Sequence, residues 1–390
     1  MNATSSPATT FTARCSLQQA VAELKRRLES RSDVVADVRQ MDLEIREGSV
    51  FLKALPGTPL TEWLGSKDGV QMNDAALPQL FEKSAVSVPA VFGRKLIQEH
   101  PQIAEPFLRD LTKATGEKRL VRMLDGRVRA FLSDKYRCLD NWDLAAHAVQ
   151  VAGDVGAEPF ECHLTDTTFR LKLVCRKFWD EFTTAQEHLV KGAKSMAHHF
   201  VGSEGWRGGD ALPGGPGTVF PIVTLSNSET GHGGCGVSIG ILHAACLNGA
   251  IISKELAAVH LGGRLSEGIM SNETRQADAK AIYLKARDIP KAAFDQEKFR
   301  SMVAGLKVNA ARPIEAPRAA VEQLVTDSLI NEEQKEAIFA RWLTDYQPTV
   351  GGLSGAVSRF AQEVAEPDSV QELELLSGRI LTDRKVLAGV

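Results

Sequence analysis

Aromatic side chains make up only 6% of this 390-residue chain. A broad platform for stacking nucleic-acid bases would therefore be sparse. Apolar runs are short, and none approaches the ~20 residues that span a bilayer. The N-terminus carries no basic-then-apolar leader, so a soluble, cytoplasmic protein is expected. The six cysteines (Cys15, Cys138, Cys162, Cys175, Cys235 and Cys246) are scattered rather than framed. That spacing reads as reduced thiols and not as a disulfide scaffold. Net charge is also small, at −3, which gives no global pull toward polyanions. The glycine-rich stretches GWRGGDALPGGPG and GHGGCG lack the GK[ST] ending of a phosphate-binding loop. No paired-carboxylate or kinase signature is present.

What the chain does have is length and ordinary globular composition, 43% hydrophobic and 24% charged. That is enough to bury a large core and exceeds the usual size of one domain. Charge is unevenly spread. Arg94–Arg137 holds eleven Lys/Arg against six Asp/Glu, and Lys254–Ala320 holds twelve against eight. From Val321 to the end there are six against twelve. A basic middle and an acidic end suit a protein that meets phosphates and keeps a solvated or partner-binding tail.

Periodicity divides the chain into three. Residues 1–15 are Ser/Thr/Ala-rich and read as a disordered leader. Residues 16–253 read as an α+β body with an antiparallel sheet core. A helix follows Ser16, and Met41, Leu43 and Ile45 alternate as a half-buried strand. The sharpest hairpin is RLVRMLDGRVRAFLSDKY, turned at Asp125-Gly126. Asp140 or Asn141 caps the next helix, which stops at Gly153 or Gly156. A second hairpin turns near Thr165-Asp166, with Phe169, Leu171, Leu173 and Cys175 on one face. TTAQEHLVKGAKSMAHHF and a glycine-rich lid or insertion, GSEGWRGGDALPGGPGT, lead to three strands between Thr218 and Ser253. From 254 to 390 the period is helical, with a capping box expected at Asn331-x-x-Gln334.

Three sets of residues could carry function. His232-x-x-Cys235 and His243-x-x-Cys246 repeat one spacing, which a zinc ion would accept. An apolar strand separates the two pairs, so buried small hydrophobes are the plainer reading of the cysteines. Cys235 in GHGGCG also invites a nucleophile reading with His232 or His243, a Cys/His-dependent hydrolase or metal-dependent enzyme. His198-His199, with Glu187 and His188 upstream, point apart on a helix and read as surface residues. The third set is the Asp125-Gly126 hairpin, carrying Arg119, Arg122, Arg127 and Arg129 and running on to Lys135, Tyr136 and Arg137. On a regular strand Arg127 and Arg129 share a face opposite Val128 and Ala130. The result would be a cationic stripe for DNA phosphates, with Tyr136 or Trp142 for stacking.

Two stretches, VRMLDGRVRAFLSDKYRCLDNWDL and VTLSNSETGHGGCGVSIGILHAACLNGAI, resemble in their order the phage- and plasmid-borne family catalogued as domain of unknown function 932. The resemblance covers roughly residues 80–380. It brings no catalytic residue set, and it implies a mobile-element setting near DNA recombination or replication. The expectation is a non-enzymatic, homo-oligomeric DNA-associated protein, such as a single-strand annealing accessory, with no cofactor. A phage host-interaction or anti-defence protein that binds a partner through its acidic C-terminal helices is the other non-enzymatic reading.

Overall fold

The computed structural model describes residues 15, 17–82, 88–114, 116–182, 218–243, 249–258, 272–364 and 366–387. Residues 1–14 of the leader drawn over 1–15, the His198-His199 segment, the glycine-rich lid and Cys246 lie outside the described residues. Cys15 itself is ordered, donating its backbone N–H to the Cys162 carbonyl at 2.9 Å. The chain is mixed α+β. Its largest sheet is antiparallel, in the order β12-β11-β10-β8-β7. These strands are β7 (Glu158–Leu164), β8 (Phe169–Val174), β10 (Thr218–Asn227), β11 (Cys235–His243) and β12 (Gly249–Ala258), and a short β9 (Asp180–Glu181) pairs with the end of β10. Strands β8 and β10 are buried on nearly every residue. Strand β10 accordingly reads as an apolar run, whereas β8 alternates Arg170 and Lys172 with apolar residues.

Helices cover both faces of that sheet. Helices α1 (Leu17–Ser30), α6 (Asn141–Val155) and α7 (Asn272–Ala293) bury Leu24, Leu144, Ala148, Ile282 and Tyr283 against Phe169, Leu171 and Val237. Further along that same face α8 (Gln296–Ala310) sets Phe299 and Val303 against Val219, Ile241 and Ala250. The opposite face, with Lys172, Ile222 and Leu242, meets Glu374 of the C-terminal helix. The helices α9 (Pro317–Thr326), α10 (Glu332–Asp345), α11 (Val350–Ala361) and α12 (Pro367–Thr382) share a core around the fully buried Trp342. The expected capping box forms at the start of α10, with Asn331 and Gln334 each accepting the other's backbone N–H. Beta12 runs on to Ala258, past the boundary drawn after 253, and α7 shares the core of the sheet. The helical third is therefore wrapped onto the body.

Two smaller sheets form the other end of the molecule. One has the order β1-β5-β6, from β1 (Arg31–Asp37), β5 (Lys118–Leu124) and β6 (Arg127–Ser133). The second joins β2 (Met41–Arg46), β3 (Ser49–Ala54) and β4 (Val70–Gln71). Their shared core takes in Met41, Leu52, Phe81, Val121, Val128 and Phe131. The flanking helices are α2 (Pro59–Leu64), α3 (Leu77–Glu82), α4 (Ala90–Glu99) and α5 (Pro101–Ala114). The β5–β6 turn is the expected one, with Asp125 at φ 53° and Gly126 at φ 71°. Positive φ at both central residues is what a two-residue hairpin requires.

Candidate functional site

The β5–β6 hairpin faces the connection between β10 and β11, and polar side chains from both meet there. The register explains which ones. Val128 joins one core, whereas Ala130 joins Leu120 and Leu132 on the opposite side of the sheet. The pairing of β5 with β6 shifts at Arg122/Met123, where Met123 pairs with Val128 and Arg122 with Ala130. Arg129 is the extra residue of that bulge. Val128 and Ala130 do not share a face, because a bulge inserts one residue and re-aims its side chain. A strict period of two, read from the sequence, has no means of locating it.

Arg122, fully buried, lies opposite Asp33 in the β1–β5 register. It donates through Nε to Asp33 at 3.0 Å and through Nη2 at 2.8 Å, and through Nη1 to the backbone carbonyl of Glu229 at 2.7 Å. Arg129 donates to Glu229 Oε2 at 2.9 Å, and the other carboxylate oxygen accepts the backbone N–H of Asn141 at 2.8 Å. That N–H opens helix α6, so the positive end of its dipole is occupied by Glu229. The Nε and Nη2 of Arg129 have no acceptor among the described residues. Arg31 pairs with Asp140. Three arginines and three carboxylates thus balance in one cluster, with Arg122, Arg129 and Glu229 buried at its centre.

Burial pushes the Glu229 carboxyl up, but the charges of Arg129 and Arg122 outweigh it and hold the group below its ordinary range. Burial pulls the Arg129 guanidinium down, and proximity to Arg122 adds to that. Around the charges, Tyr136 donates to the Ser228 carbonyl at 2.8 Å. Asn227 donates to the Leu139 carbonyl and to Asn141 Oδ1, each at 2.8 Å. Gln79 links Phe131 N–H to the Thr230 carbonyl. The Ser-Asp-x-Tyr-Arg-x-Leu-Asp-Asn run and the Ser-Asn-Ser-Glu-Thr-Gly turn, about 90 residues apart in the chain, therefore form one hydrogen-bonded unit.

The exposed cationic ribbon expected from the hairpin does not form. Arg119 is buried and pairs with Glu117 at 2.8 Å. Arg122 and Arg129 are committed as described, and Arg137 pairs with Asp278 of α7 at 2.6 Å. Tyr136 is tied down by its hydroxyl, and Trp142 packs into the main core, so neither is free to stack. Only Arg127 and Lys135 project into solvent. A charge buried in low dielectric has to be paired, and apart from Glu117 beside Arg119 the acids that do this come from distant segments.

The Cys/His residues do not assemble either. Cys235 begins β11 and is 1% exposed, its thiol pushed up to about 12 by burial. A thiol so placed is not activated. His232 is exposed and its Nδ1 lies 3.1 Å from Thr230 Oγ1. His243 ends the same strand beside Phe182, and burial lowers it to about 4. Eight residues of strand separate it from Cys235, ~26 Å at 3.3 Å per residue. Among the described residues no group of three His, Cys, Asp or Glu is placed to hold a metal ion.

A second charged cluster was missed from the sequence. Lys172 on β8 sits between Glu161 of β7 and Glu374 of α12, 2.6 Å from each, and His163 Nε2 is 3.2 Å from Glu161. Arg170 reaches Asp368 at the start of α12. Its signal was the alternation of Arg170 and Lys172 with apolar residues in a strand that proves buried on both faces. No helix among the described residues is long and apolar enough to cross a membrane. No protein-family model, curated protein or solved structure matches the chain.

Proposed function

We propose that the protein works by binding DNA, and that the phosphates are met by helices α7 and α8 with help from Arg127 and Lys135. The observation that carries this reading is a set of four cations: Lys280, Lys285, Lys298 and Arg300. All four are exposed on these two consecutive helices, with no carboxylate partner among the described residues. The segment 272–310 holds eight Lys/Arg against five Asp/Glu. Two of those acids are engaged, Asp278 by Arg137 and Asp295 by capping α8. Lys291 and Lys307 are in turn engaged by Asp154 and Asp180, so the reading rests on those four cations and not on the segment's net charge. The chemistry is electrostatic and needs no cofactor, which fits a buried, unactivated Cys235. The resemblance to a phage- and plasmid-borne family adds the expectation that the binding serves recombination or replication on a mobile element, in the cytoplasm.

Fluorescence anisotropy of labelled single- and double-stranded DNA, titrated at rising salt, tests the reading. Binding should weaken with a log–log slope of about −0.7 per phosphate contacted on single strands, and about −0.9 on duplex. Reversing all four residues (K280E, K285E, K298E, R300E) should weaken binding at least ~10-fold and flatten that slope by several contacts. Absence of binding to either DNA at low salt overturns the proposal, as does an unchanged slope in the variant.

A further inference from the structure

Four of the eight exposed large hydrophobic residues among the described residues lie on one helical hairpin. Val91 is 81% and Phe92 56% exposed on α4, Ile103 55% and Phe107 38% on α5. The inner faces of the same helices are well buried through Gly93, Ile97, Ala104 and Leu108, so the exposure is not loose packing. Spacing lines the outer residues into two stripes. On α4 Val91 and Phe92 lie four and three positions before Lys95, and on α5 Ile103 and Phe107 lie i, i+4 with Asp110 three further on. Exposed apolar residues gathered on one folded surface, rimmed by charge, mark contact with another macromolecule.

We infer that this face is a self-association surface, covered by the same face of a second copy of the chain. The charges select that occupant. Helix α4 exposes Arg94 and Lys95, with Lys95 only loosely paired to Glu99 at 3.8 Å. Helix α5 exposes Asp110, which has no ion-pair partner among the described residues. With the twofold axis along the hairpin, α4 of each copy lies over α5 of the other. The Lys95 stem then covers Phe107 of the second copy and its ammonium reaches Asp110. A twofold across the hairpin would instead set Lys95 against Lys95.

The area sets the strength. Helices of 10 and 14 residues are ~15 and ~21 Å long and ~10 Å in diameter, so the hairpin offers ~350–400 Å². Stable partners bury ~800 Å² each. The dimer is accordingly weak and reversible, and it becomes populated as concentration rises. It uses other elements than α7 and α8, so it stands or falls separately from DNA binding.

Sedimentation velocity of the full chain over a wide concentration range reads this out. The unmodified protein should shift from monomer toward dimer, and Phe92→Glu should remain monomeric at every concentration with unchanged circular dichroism. Lys95→Asp and Asp110→Lys should each weaken the dimer, because each sets like charges opposite one another. An equimolar mixture of the two variants should recover it, because the heterodimer pairs both charges. A chain that stays monomeric throughout overturns the inference. So does a dimer indifferent to Phe92→Glu, or a charge-variant mixture that fails to recover.

Discussion

A guanidinium with no exposed surface, such as that of Arg122, is held by its acceptors, and removing one side of such an arrangement leaves a charge with nowhere to go. Glu229 is the residue on which the buried cluster turns. Its carboxylate takes Arg129 and the first N–H of α6, while its backbone carbonyl takes Arg122. Glu229→Gln keeps the shape and the backbone acceptor but leaves Arg129 uncompensated. It should lower the free energy of unfolding by about 3–5 kcal/mol, read from urea denaturation midpoints at constant slope. Pairing Arg129→Met with Glu229→Leu should recover part of that loss, since both charges leave together. A loss in Glu229→Gln of less than about 1 kcal/mol, the scale of an exposed pair, would mean that the cluster is solvated.

At the scale of elements, the features written locally were legible and those written by distant partners were not. The Asp125-Gly126 turn, the helix from Leu17 to Ser30 and the Asn331 capping box each depend on residues within a few positions, and each forms where its spacing puts it. The fate of the hairpin arginines depends on Asp33 and Glu229, roughly 90 and 107 positions from Arg122, and on a bulge with no sequence marker. The docking of α12 on β12 is equally non-local. A Cβ at Gly378 would lie 1.7 Å from the carbonyl oxygen of Ile251, so the helix reaches the sheet only where no side chain intervenes. Gly378→Ala must push the helix off the strand. The strain should cost about 1–3 kcal/mol or more and should strain the Lys172–Glu374 contact along with it. Faster amide hydrogen exchange in β12 and α12 than in β5 and β6 would register this displacement. Equal exchange in both regions would mean that the helix adjusts without leaving.

For the whole molecule, the carboxylates decide how the fold responds to acid. Glu23, Asp37, Glu44, Asp125, Glu229 and Glu366 are all held below their ordinary values, Glu44 to about 2 by its hydrogen bonds to Arg46 and Lys53. Asp143 and Glu374 are pushed up by burial, and in Glu374 this prevails over the attraction of Lys172. A carboxyl held low in the fold contributes stability that is complete above its unfolded value and is lost as pH falls through the folded one. A carboxyl held high does the reverse, giving its stability below the unfolded value and losing it as pH rises through the folded one. Six groups of the first kind outnumber two of the second, so acid weakens the fold. The loss should begin near 6.5, where the unfolded His243 takes up a proton that burial denies the folded one until about 4, and should steepen below the ordinary glutamate value of 4.5. Urea midpoints measured from neutral pH downward should fall through that window. In Glu229→Gln the fall should be shallower, because the buried cluster no longer takes up a proton on unfolding. Parallel curves for the two proteins would show that Glu229 has the same affinity for a proton folded and unfolded, and that the charges of Arg122 and Arg129 do no more than offset its burial.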